Sequence, residues 1–188
     1  PKARCRFVFR GVFHARLEKE SKGRSVTASL TFVLGGARSG KSRYAEEVLG
    51  SYAGPLNYIA TAQALDDEMR ERIVHHRTRR DSRWKTVEAP LDLVEALRAC
   101  VSEQPVLLDC LTLWLTNVML AGRNIEAESA RLVDVLANPR GPWVVVSNEV
   151  GMGIVPDNRM AREFRDHAGR LNQMVAQSAD RVLFMVAG

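Results

Sequence analysis

Residues Leu30 to Ser42 read LTFVLGGARSGKS. Five mostly apolar residues run directly into Gly35-Gly36-Ala37-Arg38-Ser39-Gly40-Lys41-Ser42, a match to GxxxxGK[ST]. An apolar strand that breaks into a glycine-rich loop and then opens a helix is a phosphate cradle. Glycines at 35, 36 and 40 let backbone N–H groups converge on phosphate oxygens, and the following helix adds the positive end of its dipole. In this pattern Lys41 is expected to reach the β- and γ-phosphates, and the Ser42 hydroxyl to ligate Mg²⁺.

Outward from that stretch, short apolar runs alternate with longer helical patterns. Strands are expected at LTFVL (30–34), LNYIA (56–60), WKTVE (84–88), VLLDC (106–110), WVVVS (143–147) and RVLFMVA (181–187). Helices are expected at 41–50, 66–81, 91–103, 111–121, 125–138 and 158–178. Several strands are apolar almost throughout, as required when helices cover both faces of a sheet. The expected fold is therefore α/β and P-loop NTPase-like, a mostly parallel β-sheet flanked by helices in a single domain over 30–188. No internal repeat or dividing linker interrupts it.

Composition narrows the function classes. The length of 188 residues suits one domain with a sizeable core. The net charge of +5 suggests nucleic acid until it is divided along the chain. Residues 1–30 carry eight Lys/Arg against two Glu, a net of +6, which leaves the remainder at −1. The basicity thus sits in an extension over 1–29, read as a transit-like segment or an appendage of low order. No nucleic-acid partner is expected of the domain. Three cysteines, Cys5, Cys100 and Cys110, lack any CxxC spacing, which points away from a disulfide framework or zinc site and towards the cytoplasm. The most apolar stretch, LTLWLTNVMLA (111–121), is too short to span a bilayer and reads as a buried helix.

A P-loop needs a second acidic partner for its metal, commonly at the end of a neighbouring apolar strand. Asp109, closing VLLDC, has that position, although strands often end in Asp for no catalytic reason. Thr61 and Ala62 follow LNYIA on the sheet edge where open α/β folds bind ligands; an ordinary strand-to-helix turn would look the same.

The run RIVHHRTRR (72–80) holds two of the four histidines. Met69, Ile73, His76 and Arg80 recur at helical spacing, with Arg72 one turn before His76 and Arg79 and Arg80 one turn after it. His75 is rotated away by about 100°. A histidine on an apolar face is commonly a core residue. The arginines at i−4, i+3 and i+4 instead form an anion clamp suited to a polyphosphate, in which a neutral imidazole could attack an α-phosphate in line. A nucleic-acid patch is the third reading, disfavoured by the sparse aromatics and the neutral domain.

Taken together, GGARSGKS, YIATAQALDDEM, RIVHHRTRR, the W-x-T-V-E of strand 84–88 and NEVGMGIVPDNRMAREFRDHAGRLNQ resemble one family, the bifunctional adenosylcobinamide kinase/adenosylcobinamide-phosphate guanylyltransferases of cobalamin biosynthesis. The resemblance runs from about Leu30 to the last residue, and a few further residues would be expected beyond it. It implies phosphorylation of a corrinoid, adenosylcobinamide, by ATP or GTP. It further implies transfer of GMP from GTP through a histidine to give adenosylcobinamide-GDP. The family nucleophile directly precedes the x-x-R-R run, which corresponds to His76. Nucleotide contacts are implied from 35–42, from Ala60, Thr61 and Ala62, from Arg77, Thr78, Arg79 and Arg80, and from Glu88 and Asp109. Asn148 and Glu149 are expected to shape the site or simply to lead into a glycine-permitted turn. Arg162 and Arg165 either meet the corrinoid phosphate or form a solvated helix face. The resemblance also implies a homotrimer. Two other functions fit the residues alone: a P-loop small-molecule kinase with a structural His76, or a nucleotide-binding switch or ATPase using the basic N-terminus.

Overall fold

The computed structural model describes residues 6–10, 12–16, 28–63, 67, 70, 71, 74, 78 and 80–187. Its centre is a sheet in which six strands run parallel: β3 (Ser29–Gly35), β4 (Leu56–Ala60), β5 (Trp84–Glu88), β6 (Val106–Asp109), β7 (Pro142–Asn148) and β8 (Arg181–Met185). Their order is β8-β3-β7-β6-β4-β5. Within the N-terminal extension, where low order is expected, β1 (Arg6–Arg10) and β2 (Val12–Arg16) pair as an antiparallel hairpin beside β8.

Five helices are assigned among the described residues: α1 (Lys41–Gly50), α2 (Leu93–Ala99), α3 (Leu111–Leu120), α4 (Ile125–Leu136) and α5 (Arg159–Ser178). Positions 67, 70, 71, 74 and 78 are helical as well, inside the helix expected over 66–81.

Strand periodicity divides the core into two layers. Leu30, Phe32, Ile59, Val106, Leu108, Trp143 and Val145 point to the face covered by α2 to α5. Val33, Tyr58, Leu107, Val144 and Val146 point to the opposite face, against Ala45 and Leu49 of α1. With both faces buried, β4, β6 and β7 have no polar side, which explains their nearly continuous apolar reading, whereas the edge strand β5 exposes Lys85, Thr86 and Glu88. Helix α3 is the buried element its composition predicts, enclosing Leu111, Trp114, Leu115 and Val118.

The helix expected over 91–103 is shorter. Cys100 turns extended at φ −64°, ψ 138° and ends α2. The Arg140 guanidinium then donates to the carbonyls of Leu97, Arg98 and Cys100, groups that a continuing helix would have satisfied itself. A cap supplied from 40 residues away is invisible to local periodicity.

Because the six strands are parallel and nearly in register, their carboxyl ends share one edge. Gly35 pairs with Asn148 and Met185, while Ala60 pairs with Glu88 and Asp109. Every strand-end residue singled out by sequence lies on this edge.

Candidate functional site

Gly35 is where β3 becomes the phosphate loop, and the turn needs a residue without a side chain. A Cβ at this position would stand 2.2 Å from the Met185 carbonyl oxygen on β8, a backbone atom that cannot swing aside. A Cβ at Gly36 would meet nothing within 4 Å. Gly35→Ala should therefore lower folding stability by roughly 3 kcal/mol while Gly36→Ala leaves it nearly unchanged. Urea denaturation of the two variants reads this, and equal midpoints would contradict it.

Gly40 occupies the left-handed region at φ 91° as the N-cap of α1, and Arg38 adopts φ 56° in the same loop. The first turn of α1 contains no acidic residue, so the positive end of its dipole is not neutralised locally. Lys41 follows at once. Its Nζ donates to the Gly36 carbonyl at 2.5 Å and to Ser39 Oγ at 3.4 Å, so the ammonium is held inside the loop. Burial pulls its pKa below the usual lysine value, opposed by nearby Cys110 and Asp109. The Cys110 thiol, buried deeper still, is pushed up to about 11 and is uncharged at neutral pH.

Asp109 ends β6 as expected. Among the described residues, its one side-chain hydrogen bond comes from the Tyr58 hydroxyl, which donates to Oδ2 at 3.2 Å. Burial is the main reason the Tyr58 phenol lies well above its ordinary pKa, and the Asp109 charge adds to it, so the hydroxyl remains a donor. The Arg80 guanidinium lies over the Tyr58 ring, 3.6 Å from its centroid. Arg80 also reaches Thr86 Oγ1 at 3.4 Å, and Trp84 meets the Tyr58 ring edge-on at 6.4 Å. One aromatic residue thus links a cation to the β6 carboxylate, a link the sequence reading missed. Its signal was available: Tyr58 and Ala60 share a face of β4, and Ala60 is the register partner of Asp109.

Thr61 sits at the next position along and is fully buried. Its hydroxyl donates to the Cys110 carbonyl at 2.8 Å and accepts from the Cys110 backbone N–H at 2.8 Å. That side chain is engaged in joining the ends of β4 and β6. Ala62 is partly exposed beyond it, and Glu88 is exposed at the end of β5. Asn117 reinforces the same corner by donating to the carbonyls of Thr61 and Pro90.

On the β7 side, Glu149 N–H donates to the Gly35 carbonyl at 2.9 Å, tying the turn after β7 to the phosphate loop. The Glu149 carboxylate accepts from Gly151 and Met152 N–H groups, the glycine-permitted turn. Asn148 donates to Thr112 Oγ1 at 2.7 Å. Asn158 caps α5 through Ala161 N–H. Arg162 is spent on the carbonyls of Pro156 and Asp157, and Arg165 faces Asp166 at 3.3 Å.

Thr78 lies on the 67–78 segment, where the described positions 67, 70, 71, 74 and 78 are all exposed. His76, Arg77 and Arg79 lie outside the described residues. Of the residues expected to surround that histidine, Arg80 lies within the described residues, with its guanidinium over Tyr58.

The donor set suits magnesium. Ser42 and Asp109 offer a hydroxyl and a carboxylate, hard oxygens, and Mg²⁺ typically takes one or two protein oxygens and completes its shell with phosphates and water. No cluster of three or more His, Cys, Asp or Glu able to cage an ion occurs among the described residues. No helix among those residues is long and apolar enough to cross a membrane.

Comparison with known proteins gives consistent matches. The family model for cobinamide kinase / cobinamide phosphate guanyltransferase matches residues 31–188. A bifunctional adenosylcobalamin biosynthesis protein of Pseudomonas aeruginosa is 45% identical over 159 residues, covering 83% of this chain and 92% of that protein. Proteins of the same description from Escherichia coli and Salmonella typhimurium are each 43% identical over 175 residues, covering 85% of this chain and 96% of theirs.

Proposed function

The chain belongs to the cobinamide kinase / cobinamide phosphate guanyltransferase family, and on that premise we propose that it converts adenosylcobinamide to adenosylcobinamide-GDP in two steps. It is an enzyme, a bifunctional kinase and nucleotidyltransferase. The observation that carries the detailed reading is the Asp109 carboxylate at the end of β6, beside Lys41 of the Gly35–Ser42 loop and bonded to Tyr58, whose ring Arg80 covers.

In the first step ATP or GTP lies with its phosphates in the 35–42 loop, and a corrinoid hydroxyl oxygen attacks the γ-phosphorus as its proton passes to water. The bond to the β–γ bridging oxygen breaks, and Lys41 offsets the charge that gathers on the leaving diphosphate. Ser42 and Asp109 would hold Mg²⁺, which when bound neutralises phosphate charge. In the second step a His76 ring nitrogen bonds to the α-phosphorus of GTP as the bond to the departing pyrophosphate breaks. An oxygen of adenosylcobinamide phosphate then attacks the same phosphorus, the P–N bond breaks, and free His76 returns. Arg77, Arg79 and Arg80 supply positive charge to the pyrophosphate, with Thr78, Ala60, Ala62 and Glu88 around the nucleotide. Thr61 supports that wall from behind.

A homotrimer forms part of the same reading. Met152 and Ile154, 77% and 98% exposed on the turn after β7, supply apolar surface of the kind subunit contacts cover.

Incubating the protein with adenosylcobinamide, GTP and Mg²⁺ and separating the corrinoids over time tests the sequence of events. Adenosylcobinamide phosphate should rise first and then decline as adenosylcobinamide-GDP and pyrophosphate accumulate. Arrest at the phosphate with GTP in excess would support a simple kinase instead.

A further inference from the structure

Tyr58 opens the YIATAQALDDEM stretch, yet no nucleotide contact is assigned to it, and its side chain is held from several sides. It is 6% exposed in the middle of β4, on the face packed by α1, the helix that the phosphate loop opens. Its ring contacts three elements. The guanidinium of Arg80 covers one face at 3.6 Å, Trp84 of β5 meets its edge, and its hydroxyl donates to Asp109 Oδ2 at 3.2 Å on β6. A core tyrosine needs some partner for its hydroxyl, and a backbone carbonyl would serve. Here the partner is the strand-end carboxylate beside Lys41, and among the described residues no other side chain hydrogen-bonds that carboxylate.

A carboxylate held by one donor has one oxygen committed and one directed elsewhere. Free rotation about its terminal torsion would spread the second oxygen over a wide arc. Partners that fix a metal-binding carboxylate in this way commonly contribute 10–100-fold to metal affinity without touching the metal.

We propose that Tyr58 is a positioning residue for Mg²⁺–nucleotide binding: its hydroxyl fixes the Asp109 carboxylate, and its ring is itself fixed by Arg80 above and Trp84 at its edge. This rests on the assignment of Asp109 to the metal, but not on the identity of the corrinoid or on the transfer step.

The test uses a fluorescent GTP analogue, N-methylanthraniloyl-GTP, titrated with Mg²⁺ and again in EDTA, in the absence of any corrinoid. Tyr58→Phe keeps the ring, and with it the Arg80 stack, and removes only the hydroxyl. The Mg²⁺ concentration giving half of the metal-dependent gain in affinity should rise about tenfold, while affinity in EDTA changes by less than about twofold. Asp109→Asn should lose the metal-dependent gain, and adding Tyr58→Phe to it should have no further effect, because Tyr58 acts through Asp109.

A Tyr58→Phe protein with the wild-type Mg²⁺ midpoint overturns the proposal, and a lowered melting temperature with an unmoved midpoint does so by assigning Tyr58 to the core alone. An additional loss in the double variant equally overturns it, since Tyr58 would then act by another route. If the nucleotide site is right but the corrinoid chemistry is wrong, the shift in Mg²⁺ midpoint persists while no corrinoid product forms. The two failures are therefore distinguishable.

Discussion

Lys41→Ala should phosphorylate adenosylcobinamide at roughly one-hundredth to one-thousandth of the wild-type rate, the loss typical when one preorganised group facing transition-state charge is removed. The magnitude follows from where Lys41 stands. Its ammonium is held within the loop by the Gly36 carbonyl and Ser39 Oγ and is only 6% exposed, so water cannot replace it at low cost. In such surroundings a unit charge beside a phosphate is far less screened than at a surface. The variant should remain folded, because the loop is held independently by Glu149 N–H on the Gly35 carbonyl and by the start of α1. Lys41→Met, which keeps most of the stem, separates charge from packing: both variants should be equally inactive, with far-ultraviolet circular dichroism unchanged. Near-wild-type phosphorylation by either variant would remove the phosphate loop from the mechanism.

His76→Ala should divide the two activities. Phosphorylation of adenosylcobinamide needs the 35–42 loop and Asp109, neither of which depends chemically on an imidazole, so it should continue at a rate close to wild type. Guanylyl transfer should fall by at least roughly 10⁴-fold, as when a covalent nucleophile is deleted. His75→Ala is the internal control. The neighbouring position is turned by about 100° on a helix, so its loss should leave transfer largely intact. Equal loss of both activities in His76→Ala would indicate a structural histidine, and loss confined to His75→Ala would move the nucleophile by one residue.

The sheet was legible because its signal is local. Runs such as WVVVS and VLLDC are apolar almost to their ends, as expected where both faces are covered, and β4 and β5 coincide with LNYIA and WKTVE. Parallel register then carries the strand-end residues Gly35, Ala60, Glu88, Asp109 and Asn148 to a common edge, so a motif at one strand end predicts its neighbours. What local pattern cannot express is a bond across the sheet. Thr61 reads by position as a ligand contact or an ordinary strand-to-helix turn, and its hydroxyl bonds to Cys110, 49 residues away, are in neither reading. Tyr58 reads as one more apolar strand residue until the pairing of β4 with β6 places its hydroxyl on Asp109. Likewise α2 stops at Ala99 because Arg140, far along the chain, takes its last carbonyls. The clamp around His76 is an expectation from spacing; of its residues Arg80 is described, and its guanidinium lies over Tyr58.

The most direct measurement is covalent labelling of the protein by GTP carrying ³²P at the α-phosphate, with Mg²⁺ and without corrinoid. A label that survives denaturation, is released by acid and resists base is the signature of phosphorus bonded to a histidine nitrogen. It should appear on wild-type protein, be absent from His76→Ala, and be discharged when adenosylcobinamide phosphate is added. A wild-type protein that completes the overall conversion yet never carries such a label would contradict the covalent-histidine account.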